Sequence, residues 1–183
     1  MNYGAIKSPK DERDYKYSNV KRTVNAQLPS RFILDILPVR NQGKAGTCVG
    51  FATTVIQEAD SMTKKEKEIL SPLFHYAKCK AIDGIKTEGT TLRASMKALA
   101  DSGICKEKLY PYRDTQDTIN LKFPTITSVV SADAKSRKII GYSQVNTKQE
   151  VKEAIFNENG VLAGIMVTES FVKPQNGCVG YLN

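Results

Sequence analysis

Between Thr47 and Gly103 the sequence carries three helical patterns in succession, and that run constrains the fold more than any other feature of the chain. In the first, Cys48, Ala52, Val55, Ile56, Ala59 and Met62 recur at helical spacing behind Thr47, a residue type that caps helix starts. In the second, Ser71 precedes Pro72, a cap followed by proline at the first helical position. Leu73, Phe74, Tyr76, Ala77 and Ile82 supply its apolar faces. The third opens at Thr90 or Thr91, sets Leu92, Met96, Leu99 and Ala100 on one side, and stops at Gly103. Together they read as a helical lobe.

After a loop to about Pro124 the texture changes. Ile126 to Val130 and Lys138 to Val145 are rich in β-branched residues and are predicted as strands, with a further strand at Val161 to Val167. Thr147-Lys148-Gln149-Glu150 is a capping-box signature for a helix that turns Val151, Ala154 and Ile155 inward and ends at Gly160. The expected architecture is α+β: a mainly helical lobe over residues 28–115 and a strand-bearing lobe over residues 116–183. Residues 1–27 are polar, with Tyr3, Tyr15 and Tyr17 as the large anchors, and read as an extended arm laid over the body.

Composition narrows the function classes. No segment approaches the roughly 20 apolar residues of a membrane span, and the N-terminus lacks the apolar core of a signal peptide, so a cytoplasmic, non-membrane protein is expected. Four widely spaced cysteines without a C-x-x-C pair, and a single histidine, fit reduced thiols better than a disulfide framework or a zinc site. No cofactor is expected. The net charge of +8 invites a nucleic-acid reading. Its distribution argues against one: Lys64, Lys65 and Lys67 alternate with Glu66 and Glu68 as on a solvated helix face, and Lys135-Ser136-Arg137-Lys138 reads as an exposed approach to a strand.

The chemistry concentrates at Asn41-Gln42-Gly43-Lys44-Ala45-Gly46-Thr47-Cys48-Val49-Gly50-Phe51-Ala52, a loop that opens a helix and sets a thiol in its first turn. Backbone N–H groups at a helix start favour a thiolate, and a Gln six residues upstream can fold back toward a developing oxyanion. The plainer alternatives are a small buried cysteine and a loop glutamine bonded to local backbone.

This run resembles the active-site segment of papain-like cysteine peptidases, as does its approach through Leu28-Pro29-Ser30, Asp35 and Pro38-Val39-Arg40-Asn41-Gln42-Gly43. The resemblance continues through Leu70-Ser71-Pro72-Leu73-Phe74, Gly89-Thr90-Thr91-Leu92-Arg93, and Gly103-Ile104-Cys105-Lys106-Glu107 to Tyr110-Pro111-Tyr112. Asp11-Glu12-Arg13-Asp14-Tyr15 is similar to a stretch that precedes the domain in bacterial relatives. The chain departs from better-known members at Ala45, where they carry a cysteine whose loss removes a family disulfide, and at Val49, where they carry an aromatic residue.

The resemblance implies a peptidase acting on peptide or protein substrates, with Cys48 as nucleophile and Gln42 as oxyanion donor. It makes Gly89 and Thr90 a cleft wall that pairs with substrate backbone, where the alternative is a plain helix-entry turn. It makes Ile165 a wall of an apolar pocket, where packing of a core strand is the alternative. The family's catalytic His and Asn follow the nucleophile by roughly 130 to 150 residues. They would fall at the very end of this sequence or beyond it, and the single histidine is His75, expected on a helix surface or core edge. The resemblance therefore implies a C-terminally truncated chain with an incomplete antiparallel β lobe, weak or inactive alone, whose full activity needs a longer product or a second polypeptide supplying the missing strands. The competing expectation is a non-catalytic papain-like remnant that binds peptide or a partner protein. Cys79, Cys105 and Cys178 read as packing residues, Cys178 the most exposed.

Overall fold

A computed structural model describes residues 4–12, 14–19, 28–173 and 176. Its centre is three helices, α1 (Cys48–Thr63), α2 (Pro72–Asp83) and α3 (Leu92–Ser102), and the expected start and stop signals operate at each. The Ser71 hydroxyl accepts from the Phe74 amide at 3.0 Å with Pro72 behind it, and Gly84 closes α2 at φ 63°. The Thr91 hydroxyl accepts from the Ala94 amide at 3.1 Å, and Gly103 ends α3 at φ 72°. No side chain fits at that glycine, because a Cβ would lie 1.9 Å from the Ala134 carbonyl oxygen.

The buried face of α1 differs from the apolar stripe read in the sequence. Ala52 is exposed and Val55 and Ile56 are half-buried, while Val49, Gly50, Thr53, Thr54, Glu58, Ala59 and Ser61 face inward. Burying so many polar groups is tolerable because each is hydrogen-bonded. Thr53 Oγ1 donates to the Val49 carbonyl at 2.8 Å and lies 2.7 Å from Ser95 Oγ on α3. Glu58 accepts from the Leu70 amide and from Arg40. Gly50 lets α2 approach, since a Cβ there would stand 2.8 Å from the Pro72 carbonyl oxygen.

The expected strand at Ile126 to Val130 is instead the start of a helix. Ser128–Lys135 forms α5, after the single turn α4 (Gln116–Ile119), with Thr127 as N-cap. Packing overrides β-branched propensity here: Val130 and Ala134, one turn apart, enter a core cluster with Leu73, Phe74, Cys105 and Tyr110. At Lys135-Ser136-Arg137-Lys138 the flanking Lys135, Ser136 and Lys138 are exposed as expected, but Lys135 ends α5, no strand follows among the described residues, and Arg137 is largely buried between Glu68 and Asp133. Glu68 lies beyond the end of α1 rather than on a helix face, and its bonds to Arg137 and Lys106 hold its carboxyl down at about 2.

Residues 138–145 and 161–167 form no strand among the described residues. The former makes one isolated bridge, Gln144 to Lys16. The capping box at Thr147 and Glu150 opens α6 (Lys148–Glu158), which ends two residues before the expected glycine, with Asn159 as its C-cap at φ 62°. A short α7 (Glu169–Val172) follows.

The arm lies on the helical lobe. Ala5–Ile6 (β1) pairs in parallel with Thr90–Thr91 (β2), in register Ala5 to Thr90 and Ile6 to Thr91. Asp14 forms an ion pair with Arg93, and the Tyr17 amide reaches the Gln144 carbonyl at 2.9 Å. Tyr15 is exposed rather than an anchor, while Tyr3 and Cys178 lie outside the described residues.

Candidate active site

Cys48 is the first residue of α1 and is partly exposed. Thr47 holds the N-cap position, but its side chain makes no capping bond. The Tyr112 hydroxyl donates its only proton to the Gln42 carbonyl at 2.6 Å, so the Thr47 hydroxyl, 2.9 Å away, donates to the Tyr112 oxygen. One phenol thus joins the residue preceding the thiol to the glutamine loop.

That loop is pinned along its length. Gly43 takes φ 69°, and its amide donates to Asn41 Oδ1 at 2.8 Å. The Lys44 amide donates to Asp114 Oδ1 at 3.0 Å and the Gly46 amide to Glu88 Oε1 at 2.7 Å. Upstream, the Arg40 guanidinium donates to Glu58 at 2.7 Å, to the Leu70 carbonyl at 2.9 Å and to Thr54 Oγ1 at 3.1 Å, and lies over the Phe51 ring. Gln42 Nε2 donates to the Ala45 carbonyl at 2.9 Å, which leaves the second hydrogen of this amide for another acceptor.

Gly89 and Thr90 are both buried. The Gly89 amide donates to the Tyr76 hydroxyl and its carbonyl accepts from Lys80 Nζ, each at 2.8 Å. The Thr90 amide donates to the Gly4 carbonyl at 2.8 Å, and Thr90 Oγ1 donates to Asp83 Oδ2 at 2.5 Å. Gly4 sits so close to Gly46 that a Cβ on Gly4 would lie 1.9 Å from the Gly46 carbonyl oxygen. The arm therefore crosses the loop two residues before the thiol and takes up the backbone edge at Thr90. Ile165 is 62% exposed in the irregular segment after α6.

His75 is a core residue, which corrects the surface or core-edge expectation. It is 0% exposed, its Nε2 lies 2.8 Å from Ser95 Oγ, and Nδ1 finds no partner among the described residues. Burial holds its pKa down at about 3, so it stays neutral. Cys79 and Cys105 are fully buried, and burial pushes both thiols up to about 12. They are packing residues, as expected. Among the described residues no group of three or more His, Cys, Asp or Glu side chains is placed to hold a metal, and no helix is long and apolar enough to cross a membrane.

Sequence reasoning missed Tyr112, Arg40 and Glu88, whose side chains hold the loop. The signals available were an aromatic pair flanking Pro111 and an arginine directly before Asn41-Gln42; neither names its partner.

A family model described as papain family cysteine protease matches residues 12–181. Among solved structures, the chain is similar to xylellain, a cysteine protease from Xylella fastidiosa, at 28% identity and a TM-score of 0.71. That match covers 84% of this chain and 62% of xylellain, so the chain spans less than two thirds of that protein's length. Digestive procathepsin L 3 of Tenebrio molitor larval midgut matches at 20% identity and a TM-score of 0.51, over 77% of this chain and 48% of the other. No match was found among curated proteins.

Proposed function

The chain belongs to the papain family of cysteine proteases, and from that premise we propose that it is a cysteine-type peptidase whose nucleophile is Cys48. The observation that carries the reading is the placing of a partly exposed thiol at the first residue of α1, beside a glutamine loop pinned to the helix start through Tyr112. The sulfur attacks the carbonyl carbon of a peptide bond. The C=O π pair moves to oxygen, where the second Gln42 amide hydrogen and the Cys48 backbone N–H receive it. The carbonyl re-forms as the C–N bond breaks, the nitrogen takes a proton from solvent and leaves as the amine, and water hydrolyses the remaining thioester to the free acid and the Cys48 thiol. Thr90 offers backbone to the peptide once the arm is displaced, Gly89 shapes the adjoining wall, and Ile165 presents an apolar surface to a substrate side chain.

The imidazole that activates the thiol elsewhere in this family is not His75, which is buried against Ser95 and is the sequence's single histidine. Turnover by these residues alone is accordingly weak, and full activity draws its base from a longer product or a second polypeptide. No cofactor enters the scheme.

The test is iodoacetamide labelling at pH 7 of the wild-type chain and a Cys48→Ala variant, alongside hydrolysis of a fluorogenic peptide. Labelling at Cys48 faster than that of an unstructured cysteine peptide, with slow hydrolysis lost in the variant, supports a peptidase. Labelling at the unstructured rate with no hydrolysis leaves a papain-like shell that binds peptide or protein and overturns it.

A further inference from the structure

Gln42 and Cys48 are joined by a loop containing two glycines, and a donor six residues from its nucleophile holds a fixed position only if both ends of that loop are fixed. The Tyr112 oxygen is bonded to both: it donates to the Gln42 carbonyl at 2.6 Å and accepts from the hydroxyl of Thr47, the residue before the thiol, at 2.9 Å. Its own position is set by three elements. The ring packs edge to face on Phe51 of α1 with centroids 4.7 Å apart, the Tyr112 amide donates to Glu107 Oε1 at 2.7 Å, and Pro111 restricts the backbone before it. A hydrogen bond at the Gln42 carbonyl holds the 42–43 peptide plane, and with it the Cα from which the Gln42 side chain leaves the backbone.

We infer that Tyr112 is a positioning residue for oxyanion stabilisation, acting through Gln42 and Thr47 rather than on the substrate; this rests on the peptidase reading above. Thr47 is committed to the phenol instead of capping α1, which is the arrangement such a role requires. Burial raises the phenol's pKa above its ordinary value, so at neutral pH the hydroxyl keeps the proton it donates.

A peptidyl aldehyde isolates this role without a general base. The Cys48 sulfur adds to the aldehyde carbon, a C–S bond forms, the π pair moves to oxygen, and solvent supplies the proton of the resulting thiohemiacetal. Binding of N-acetyl-phenylalanyl-glycinal is measured for the wild-type chain, Gln42→Ala, Tyr112→Phe and the double variant. Iodoacetamide labelling of each reports the thiol itself, since that displacement forms no oxyanion. Thermal melting of each reports the fold, and Tyr112→Phe keeps the ring on Phe51.

The expected result is that Gln42→Ala and Tyr112→Phe each weaken the aldehyde by about tenfold or more, with a smaller change in labelling, and that the double variant is no weaker than Gln42→Ala. Thr47→Val weakens it in the same direction and Thr47→Ser restores it. If Gln42→Ala weakens the aldehyde while Tyr112→Phe does not, or the two losses add, Tyr112 is structural only: the inference fails and the peptidase reading stands. If Gln42→Ala changes nothing, or the wild-type chain takes up no aldehyde, Gln42 is not the oxyanion donor, and the reading and the inference fail together.

Discussion

The Gly4 carbonyl accepts the Thr90 amide hydrogen at 2.8 Å, so the backbone edge beside the glutamine loop is already paired within the chain. The pairing depends on Gly4 having no side chain, because its backbone lies directly on Gly46. A Gly4→Ala variant should lift the arm while leaving α1 to α3 intact. Hydrogen exchange at the Thr90 amide then rises by about tenfold or more, in the manner of a local opening, with little change in melting temperature. Unchanged protection at Thr90 would show that the arm tolerates the extra carbon and is held elsewhere.

Arg40 is bonded to three groups from two parts of the lobe, and its partner Glu58 is 2% exposed. Burial is the largest influence on Glu58 and raises its pKa, opposed by the Leu70 amide and by Arg40. Arg40→Ala strands that carboxylate and leaves the Leu70 carbonyl without its donor. Urea unfolding should show a loss of about 3 to 5 kcal/mol. A loss below about 1 kcal/mol, the range of exposed pairs, would mean that water replaces the guanidinium.

His75 gives the chain an acid sensitivity of known sign. Its folded pKa of about 3 lies below the ordinary imidazole value of 6.5, so the unfolded chain binds the proton first. The stabilisation is present above pH 6.5 and is lost progressively as pH falls toward 3. Glu58 and Glu107, both raised chiefly by burial, act in the opposite sense as pH falls toward 4.5. The difference between the wild-type chain and His75→Gln therefore isolates the histidine. That difference should change by up to about 1.4 kcal/mol per pH unit below pH 6.5. Parallel stability curves for the two proteins would refute it.

At the alkaline end four groups act together. Cys79 and Cys105 are pushed from 9.0, and Tyr76 and Tyr110 from 10.0, each to about 12 and chiefly by burial. Raised acids contribute stability below their unfolded values and lose it as pH climbs through their folded ones. Unfolding followed by tyrosine absorbance should begin above pH 9 and be complete near pH 12. At pH 8 both thiols should resist iodoacetamide in the folded chain and react in urea. Labelling of either without denaturant would contradict their burial.

The helix boundaries were legible because caps are local: Ser71-Pro72, Thr91, Gly103 and the box at Thr147 and Glu150 each carry their partners within a few residues. The rest depends on partners that are distant in sequence. Thr53 faces inward because Ser95 meets it, and His75 is buried against that same Ser95, which no periodicity of α1 or α2 reveals. Ile126 to Val130 carries strand-forming residues, yet Val130 and Ala134 find a core to pack against, while the stretch at 138–145, rich in strand-forming residues, gains one bridge among the described residues. For the candidate site, the spacing of Gln42 and Cys48 raises them as proposals, whereas nothing near Tyr112 in sequence does so: a hydroxyl that reaches back to residues 42 and 47 leaves no local trace.

Chains are synthesised from the N-terminus, so Gln42, Thr47 and Cys48 leave the ribosome well before Tyr112 does. Until that tyrosine arrives and docks on Phe51, the phenol bridge between the glutamine loop and the start of α1 cannot form. The order of translation thus delays this bridge, and a half-made chain carries Cys48 with its neighbouring loop still unanchored.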